Sequence, residues 1–173
     1  MKKLLFITAL LAMGTMAFGA NPTEGKAETN VQVKARIVDG NFIISDIDGR
    51  PIIVDFGELY ADQKKSAVTY VDYKVTSKVA AVDQPIKFNI TLGGQGQGQG
   101  PTKVTISTNR DTQAADTDSM IANLTLSEYS GQIEKNSKEY IGRIDGTIAV
   151  DQLAGKAVGT YLGSTKLEIE VTQ

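Results

Sequence analysis

The sequence predicts an all-β fold, and three observations carry that expectation. Apolar and polar residues alternate with period two along several segments. These segments are short and rich in β-branched residues, with turn residues between them. No window shows a helical stripe, although Ser127 to Glu139 has room for a short turn of helix. Many short strands with turns between them read as a β-sandwich of immunoglobulin-like architecture.

The first alternating segment is the clearest. Val31, Val33, Ala35 and Ile37 fall on one face, with Asn30, Gln32, Lys34 and Arg36 on the other. That is the pattern of a strand with one buried face. Phe42 to Ile44 and Ile52 to Phe56 are brief β-rich runs around the turn-like Ser45-Asp46-Ile47-Asp48-Gly49. Val68 to Val75 mixes β-branched residues with tyrosines, as a half-wet strand does. Ile86, Phe88, Ile90 and Leu92 alternate with Lys87, Asn89 and Thr91. Val104 and Ile106, then Ile121 to Leu126, Tyr140 to Ile144 and Ile148 to Val150, continue the series. At the end come Tyr161 and Leu162, then Leu167, Ile169 and Val171 alternating with Lys166, Glu168 and Glu170.

The start of the chain reads as an export signal spanning residues 1–19. Lys2 and Lys3 form a basic head, Leu4 to Met13 a short apolar stretch, and Ala17-Phe18-Gly19-Ala20 a cleavage region. Cleavage after Gly19 sets small residues at both recognition positions, whereas cleavage after Ala20 sets Phe18 at one. The apolar run is too short to span a bilayer. Without cysteine, a lipid-modified cysteine anchor is ruled out. Removing the signal leaves about 150 residues, the size of one domain. Ala20 to Thr29 is polar or small, with Pro22 and Gly25, and reads as a flexible leader. The expected organisation is a signal peptide at 1–19, a leader and N-terminal strand at 20–38, and a β-sandwich domain at 39–173.

Composition narrows the function classes. Without Lys2 and Lys3 the chain has 16 basic against 20 acidic residues, a net charge of −4. Clustered basic residues, the footprint of a nucleic-acid partner, are missing. With no cysteine, stability in an oxidising compartment has to come from packing and hydrogen bonds. Histidine is absent too, which removes the commonest general base, metal ligand and triad member. The expectation is a protein with no catalytic residues, no metal and no cofactor. A carboxylate-only hydrolase ranks far behind.

Other candidate sites read as ordinary structure. Gly93 to Gly100, followed by Pro101, lacks the lysine and hydroxyl of a phosphate loop, and strands flank it. It reads as a flexible exposed connector. Asp46-Ile47-Asp48-Gly49 resembles the start of a calcium loop, but Arg50 and Gly57 fall on ligand positions, so a plain turn is expected. Asn89-Ile90-Thr91 and Asn123-Leu124-Thr125 fit a glycosylation sequon inside strands. Asp111, Asp116 and Asp118 read as a solvated loop.

Two ends of the chain carry a resemblance. One is Asn30-Val31-Gln32-Val33-Lys34-Ala35-Arg36-Ile37, with Asp48-Gly49 and Pro51 downstream. The other is Gly159-Thr160-Tyr161-Leu162-Gly163-Ser164-Thr165, followed by an alternating terminal strand. Together they resemble the major subunits of chaperone–usher pili, closest to the cysteine-free alternate class typified by colonisation-factor fimbriae. The resemblance implies an incomplete sandwich, completed by the N-terminal donor strand of a neighbouring subunit. It makes Val31, Val33, Ala35 and Ile37 the donor residues, and Leu167, Ile169 and Val171 the C-terminal strand on which a chaperone pairs. It implies a homopolymer, with a periplasmic chaperone, an outer-membrane usher and a host-surface receptor as further partners. The route would be through the periplasm to a cell-surface fimbria that supports adhesion.

Strand addition has a physical logic. An open apolar edge is an aggregation hazard, and an added strand closes it with main-chain hydrogen bonds and alternate side chains. Burying four apolar donors is worth at most about 6–9 kcal/mol. A slip of one residue would turn Lys34 and Arg36 inward, so the register is well specified. Alternation alone favours an ordinary first strand inside its own domain, since most such runs are intradomain strands. The leader, the export signal and the matching C-terminus shift the reading to a donor strand. A different functional class, a secreted or surface β-sandwich binding module that recognises carbohydrate, stays as the alternative. The absence of Trp and an aromatic content of 6% count against it.

Overall fold

The computed structural model describes residues 27–35, 42–78, 84–108 and 119–172. The expected export signal at 1–19, residues 20–26 of the expected leader, Ile37 and the Asp111, Asp116 and Asp118 segment lie outside the described residues. Ala27 to Thr29, expected in the leader, begin the first strand instead. The strands are β1 (Ala27–Ala35), β2 (Phe42–Asp46), β3 (Ile53–Leu59), β4 (Ala67–Ser77) and β5 (Ile86–Leu92). They continue as β6 (Thr102–Thr108), β7 (Ser119–Leu126), β8 (Ser130–Ile133), β9 (Glu139–Ile148) and β10 (Thr160–Thr172). A 3-10 turn, Val150–Gln152, comes after β9. The chain is all-β.

Alternation becomes burial. In β5, Phe88, Ile90 and Leu92 are buried while Lys87 and Asn89 are exposed. In β7, Met120, Ala122, Leu124 and Leu126 point inward. Side chains on one face of a pleated strand meet only one environment, so the period-two pattern sorts them between core and solvent. Tyr73, Phe88 and Tyr140 form an aromatic cluster inside, with the Phe88 and Tyr140 rings edge to face at 5.2 Å. Burial, aided by a 3.0 Å hydrogen bond from its hydroxyl to Glu128, pushes the Tyr140 phenol up to about 12.

Strand order along the sheet is β2-β4-β9-β7-β6-β10-β1-β3, with β5 branching from β10 and β8 pairing β5. Neighbours are antiparallel except β1 and β10, which run parallel. Only a short turn joins β2 to β3, yet these strands stand at opposite ends of that order. The sheet therefore has to curl back on itself. It does: β3 packs on β4 and β9, β5 on β7, and β8 on β9. The enclosed space holds one core drawn from both halves, including Val54, Val75, Ile106, Ile144, Tyr161 and Leu167.

The structure corrects some local expectations. Ser127 to Glu139 holds no helical turn; it forms the short strand β8 and a turn at its end. Tyr140 to Ile144 and Ile148 belong to one continuous strand, while Val150 starts the 3-10 turn. The loop from Gly93 to Gly100 is an exposed connector between β5 and β6, and several hydrogen bonds lie within it and at its base. Leu92 and Gln95 exchange backbone hydrogen bonds of 3.1 and 3.0 Å, and the Gly96 amide donates to Gln99 Oε1 at 2.8 Å. The Thr102 hydroxyl donates to the Leu92 carbonyl at 2.6 Å and closes its base.

Candidate functional site

β1 is an inserted strand. On one side it runs parallel to β10, from Glu28 opposite Thr160 to Ala35 opposite Leu167. On the other it runs antiparallel to β3, from Ala27 opposite Leu59 to Gln32 opposite Ile53, with a register break between Thr29 and Asn30. Among the described residues, β3 pairs with no other strand. There, β1 alone ties β3 into the hydrogen-bonded ladder.

The register sorts the positions of β1 into rows. Position 31 stands between Gly163 and Val54, and Val54 is fully buried. Position 35 stands beside Leu167, which is also fully buried, and position 33 stands beside Thr165. Position 32 stands between Ser164 and Ile53, both exposed, and position 30 between exposed Leu162 and Asp55. Odd positions from 31 to 35 thus lie in core-side rows and even ones in solvent-side rows.

β10 supplies the wall of that seat. Tyr161, Leu167 and Ile169 are buried, and Val171, near the strand's end, is 42% exposed. Leu167 to Thr172 pair antiparallel with Leu92 to Lys87 of β5, so the terminal half of β10 is held on that side. Gly163 is a requirement of packing: a Cβ there would come within 2.6 Å of the Thr105 carbonyl oxygen and 2.7 Å of Ile106 Cγ2. The Tyr161 hydroxyl donates to the Ala157 carbonyl at 2.7 Å and fixes the entry into β10.

The other sequence features resolve as structure. In the β2–β3 turn, Asp46 Oδ1 accepts from the amides of Asp48 (2.9 Å) and Arg50 (2.7 Å). The Arg50 guanidinium bridges Asp46 and Asp48, so the cation of this turn is its own side chain. Those hydrogen bonds, the Arg50 amide's first, hold the Asp46 carboxyl below its usual range. Among the described residues no three metal-ligating side chains gather in one place. On the outer face, Arg143 forms a two-pronged pair with Asp72 across β4 and β9 and lies 4.0 Å over the Tyr70 ring. The hydrogen bonds from Arg143 keep the Asp72 carboxyl low. A small, partly open pocket lined by Leu59, Met120 and Leu153 among others has room for water.

The parallel seat of β1 beside β10 has no sequence signal, because period two identifies a strand's faces and not its neighbour. No protein-family model matches the chain, and no curated protein matches it in sequence.

Proposed function

We propose that this protein is the structural subunit of a surface pilus, an incomplete immunoglobulin-like sandwich that polymerises by strand addition and so supports adhesion. One observation carries the reading: among the described residues β1 is the only strand between β10 and β3, and both would show bare edges without it. Within its own chain β1 fills a seat walled by β10 and β3, and in the proposed fibre a neighbour's N-terminal strand fills that seat by strand addition. The core-side rows at positions 31, 33 and 35 fit the alternation of the donor segment. The Tyr161–Ala157 hydrogen bond near the start of β10 supports the immunoglobulin-like part, since such sandwiches use a corner tyrosine bonded back to the upstream backbone. A chaperone, an usher and further copies of the chain are the partners this mechanism calls for, along a route through the periplasm to the cell surface.

Two neighbouring substitutions test it. Val33→Arg puts a charge in a core-side row and should abolish fibres seen by electron microscopy. Gln32→Arg adds a charge to a solvent-side row and should leave fibre yield within about twofold of wild type, since a surface substitution costs little. Circular dichroism on each variant separates assembly from folding. Equal fibre yields from the two would sink the pilus reading.

A further inference from the structure

We infer that Gln97 is a modification site: its side-chain amide is an acyl donor for a cysteine acyltransferase of the transglutaminase type, which joins it to a lysine amine of another protein. The inference does not depend on the pilus reading. It starts from three glutamines that composition cannot tell apart and that the loop from Gly93 to Gly100 uses differently. Gln95 is half-buried and exchanges backbone hydrogen bonds with Leu92 at the base. The Gln99 backbone amide donates to the Gly96 carbonyl at 3.3 Å, and Gln99 Oε1 accepts from the Gly96 amide at 2.8 Å. These two bonds close a β-turn over residues 96–99, and the φ of 80° at Gly98 fits its type II form. Gln97 is left at the corner of that turn. It is exposed, and its side chain has no hydrogen-bond partner among the described residues.

The neighbours of Gln97 leave it open to a large enzyme, as the small, polar tips of exposed loops are in general. A Cβ added at Gly96 or Gly98 would meet nothing within 4 Å. Gly96 also lacks a positive φ, so neither packing nor backbone conformation asks for glycine there. What glycine supplies is bare backbone on each side of one free amide. Elsewhere such amides are committed. Gln63 donates to the Lys65 carbonyl at 2.7 Å, Gln132 donates to Glu134 at 2.9 Å, and Gln152 accepts from the Ile121 amide at 3.3 Å. Gln84 is exposed but precedes Pro85, whose ring restricts the backbone that an enzyme would have to grip. The chemistry balances without an oxidant or reductant. The enzyme's thiolate attacks the Gln97 amide carbon, the C–N bond breaks, and ammonia leaves with a proton from the enzyme's general acid. A thioester remains. An uncharged lysine amine attacks it, forms the new amide bond and gives up a proton as the thiol is released. On the fibre proposed above, each subunit would carry such an anchoring point.

Folded protein incubated with a purified transglutaminase and excess dansylcadaverine tests this. Mass spectrometry should find a single label, placed by fragmentation on Gln97 within the tryptic peptide 88–103. Gln97→Asn shortens the side chain, keeps its polarity and should lose the label. Gln99→Asn alters the turn without removing the donor and should keep the label on Gln97. With polylysine-coated beads in place of the probe, wild type should stay on the beads through boiling in detergent, and Gln97→Asn should wash off. Label centred on any other glutamine overturns the inference. So does a folded chain left unlabelled by an enzyme that labels a free glutamine peptide, or a Gln97→Asn chain retained as well as wild type. Each readout is taken on the monomer, so it is decided whether or not fibres form.

Discussion

β1 and β10 lie side by side and share one alternation, yet the fold holds them in different ways. β10 is gripped at both ends, by β6 at Tyr161 and Leu162 and by β5 from Leu167 to Thr172. Its inward residues are interlocked with the core, down to a glycine that has no space for a methyl group. β1 also touches two strands, but one of them, β3, has no other ladder partner among the described residues. Two strands of similar pattern can therefore differ in role: one is part of the domain's frame, the other closes it. Substitutions in β10 should act on stability and those in β1 on assembly.

The largest effect expected is at Ile169, 8% exposed and paired with Ile90. Ile169→Asp places an unpaired carboxylate in the core, at a cost of several kcal/mol. The expected outcome is loss of soluble protein in expression trials, with or without a partner chaperone. Normal accumulation with an unchanged melting temperature would show that the terminal half of β10 is not framework.

A smaller effect is expected at Gly163, beside the seat of β1. Gly163→Ala drives a Cβ against the Thr105 carbonyl and Ile106, and overpacking of this kind costs about 1–3 kcal/mol. Urea denaturation should show a lower midpoint with an unchanged slope. A neutral result would mean that β10 and β6 can separate at this point, which would weaken the contrast between a gripped and a closing strand.

Much of the fold is legible in the sequence, and the exceptions have physical reasons. The strands with buried β-branched or aromatic residues on alternate positions, such as β5 and β7, announce themselves by period. β8 does not, because Ser130, Gly131 and Gln132 carry no apolar alternation and only Ile133 is buried. β9 looks interrupted at Asp145-Gly146, yet Gly146 is needed there: a Cβ would meet Phe56 and Val54 at 2.8 and 2.9 Å. A residue that breaks the hydrophobic pattern is in this case part of the packing. The Gly93–Gly100 loop reads as a connector by composition, which it is, while its backbone and glutamine hydrogen bonds are not encoded in composition. For the candidate site, the faces of β1 are legible and its position is not. Which strand lies beside it depends on the closure of the whole sheet, a long-range property.

The smallest effect is expected at the Tyr161 hydroxyl, at the entry to β10. Tyr161→Phe keeps the buried ring and removes the hydroxyl that donates to the Ala157 carbonyl at 2.7 Å. A neutral hydrogen bond contributes about 0.5–1.5 kcal/mol net. For a chain of this size that corresponds to a melting temperature lower by roughly 1–6 °C. The ring stays in place, so the core should not open a cavity, and the seat of β1 should keep its shape. Fibre yield at a temperature well below the transition should then match wild type, while the calorimetric midpoint falls. That split sharpens the comparison, because a change on the inner wall of the groove would move stability and leave assembly alone. If Tyr161→Phe instead lowered fibre yield without lowering the midpoint, the start of β10 would belong to the assembly surface. The division of labour between the two strands would then have to be redrawn along β10 itself.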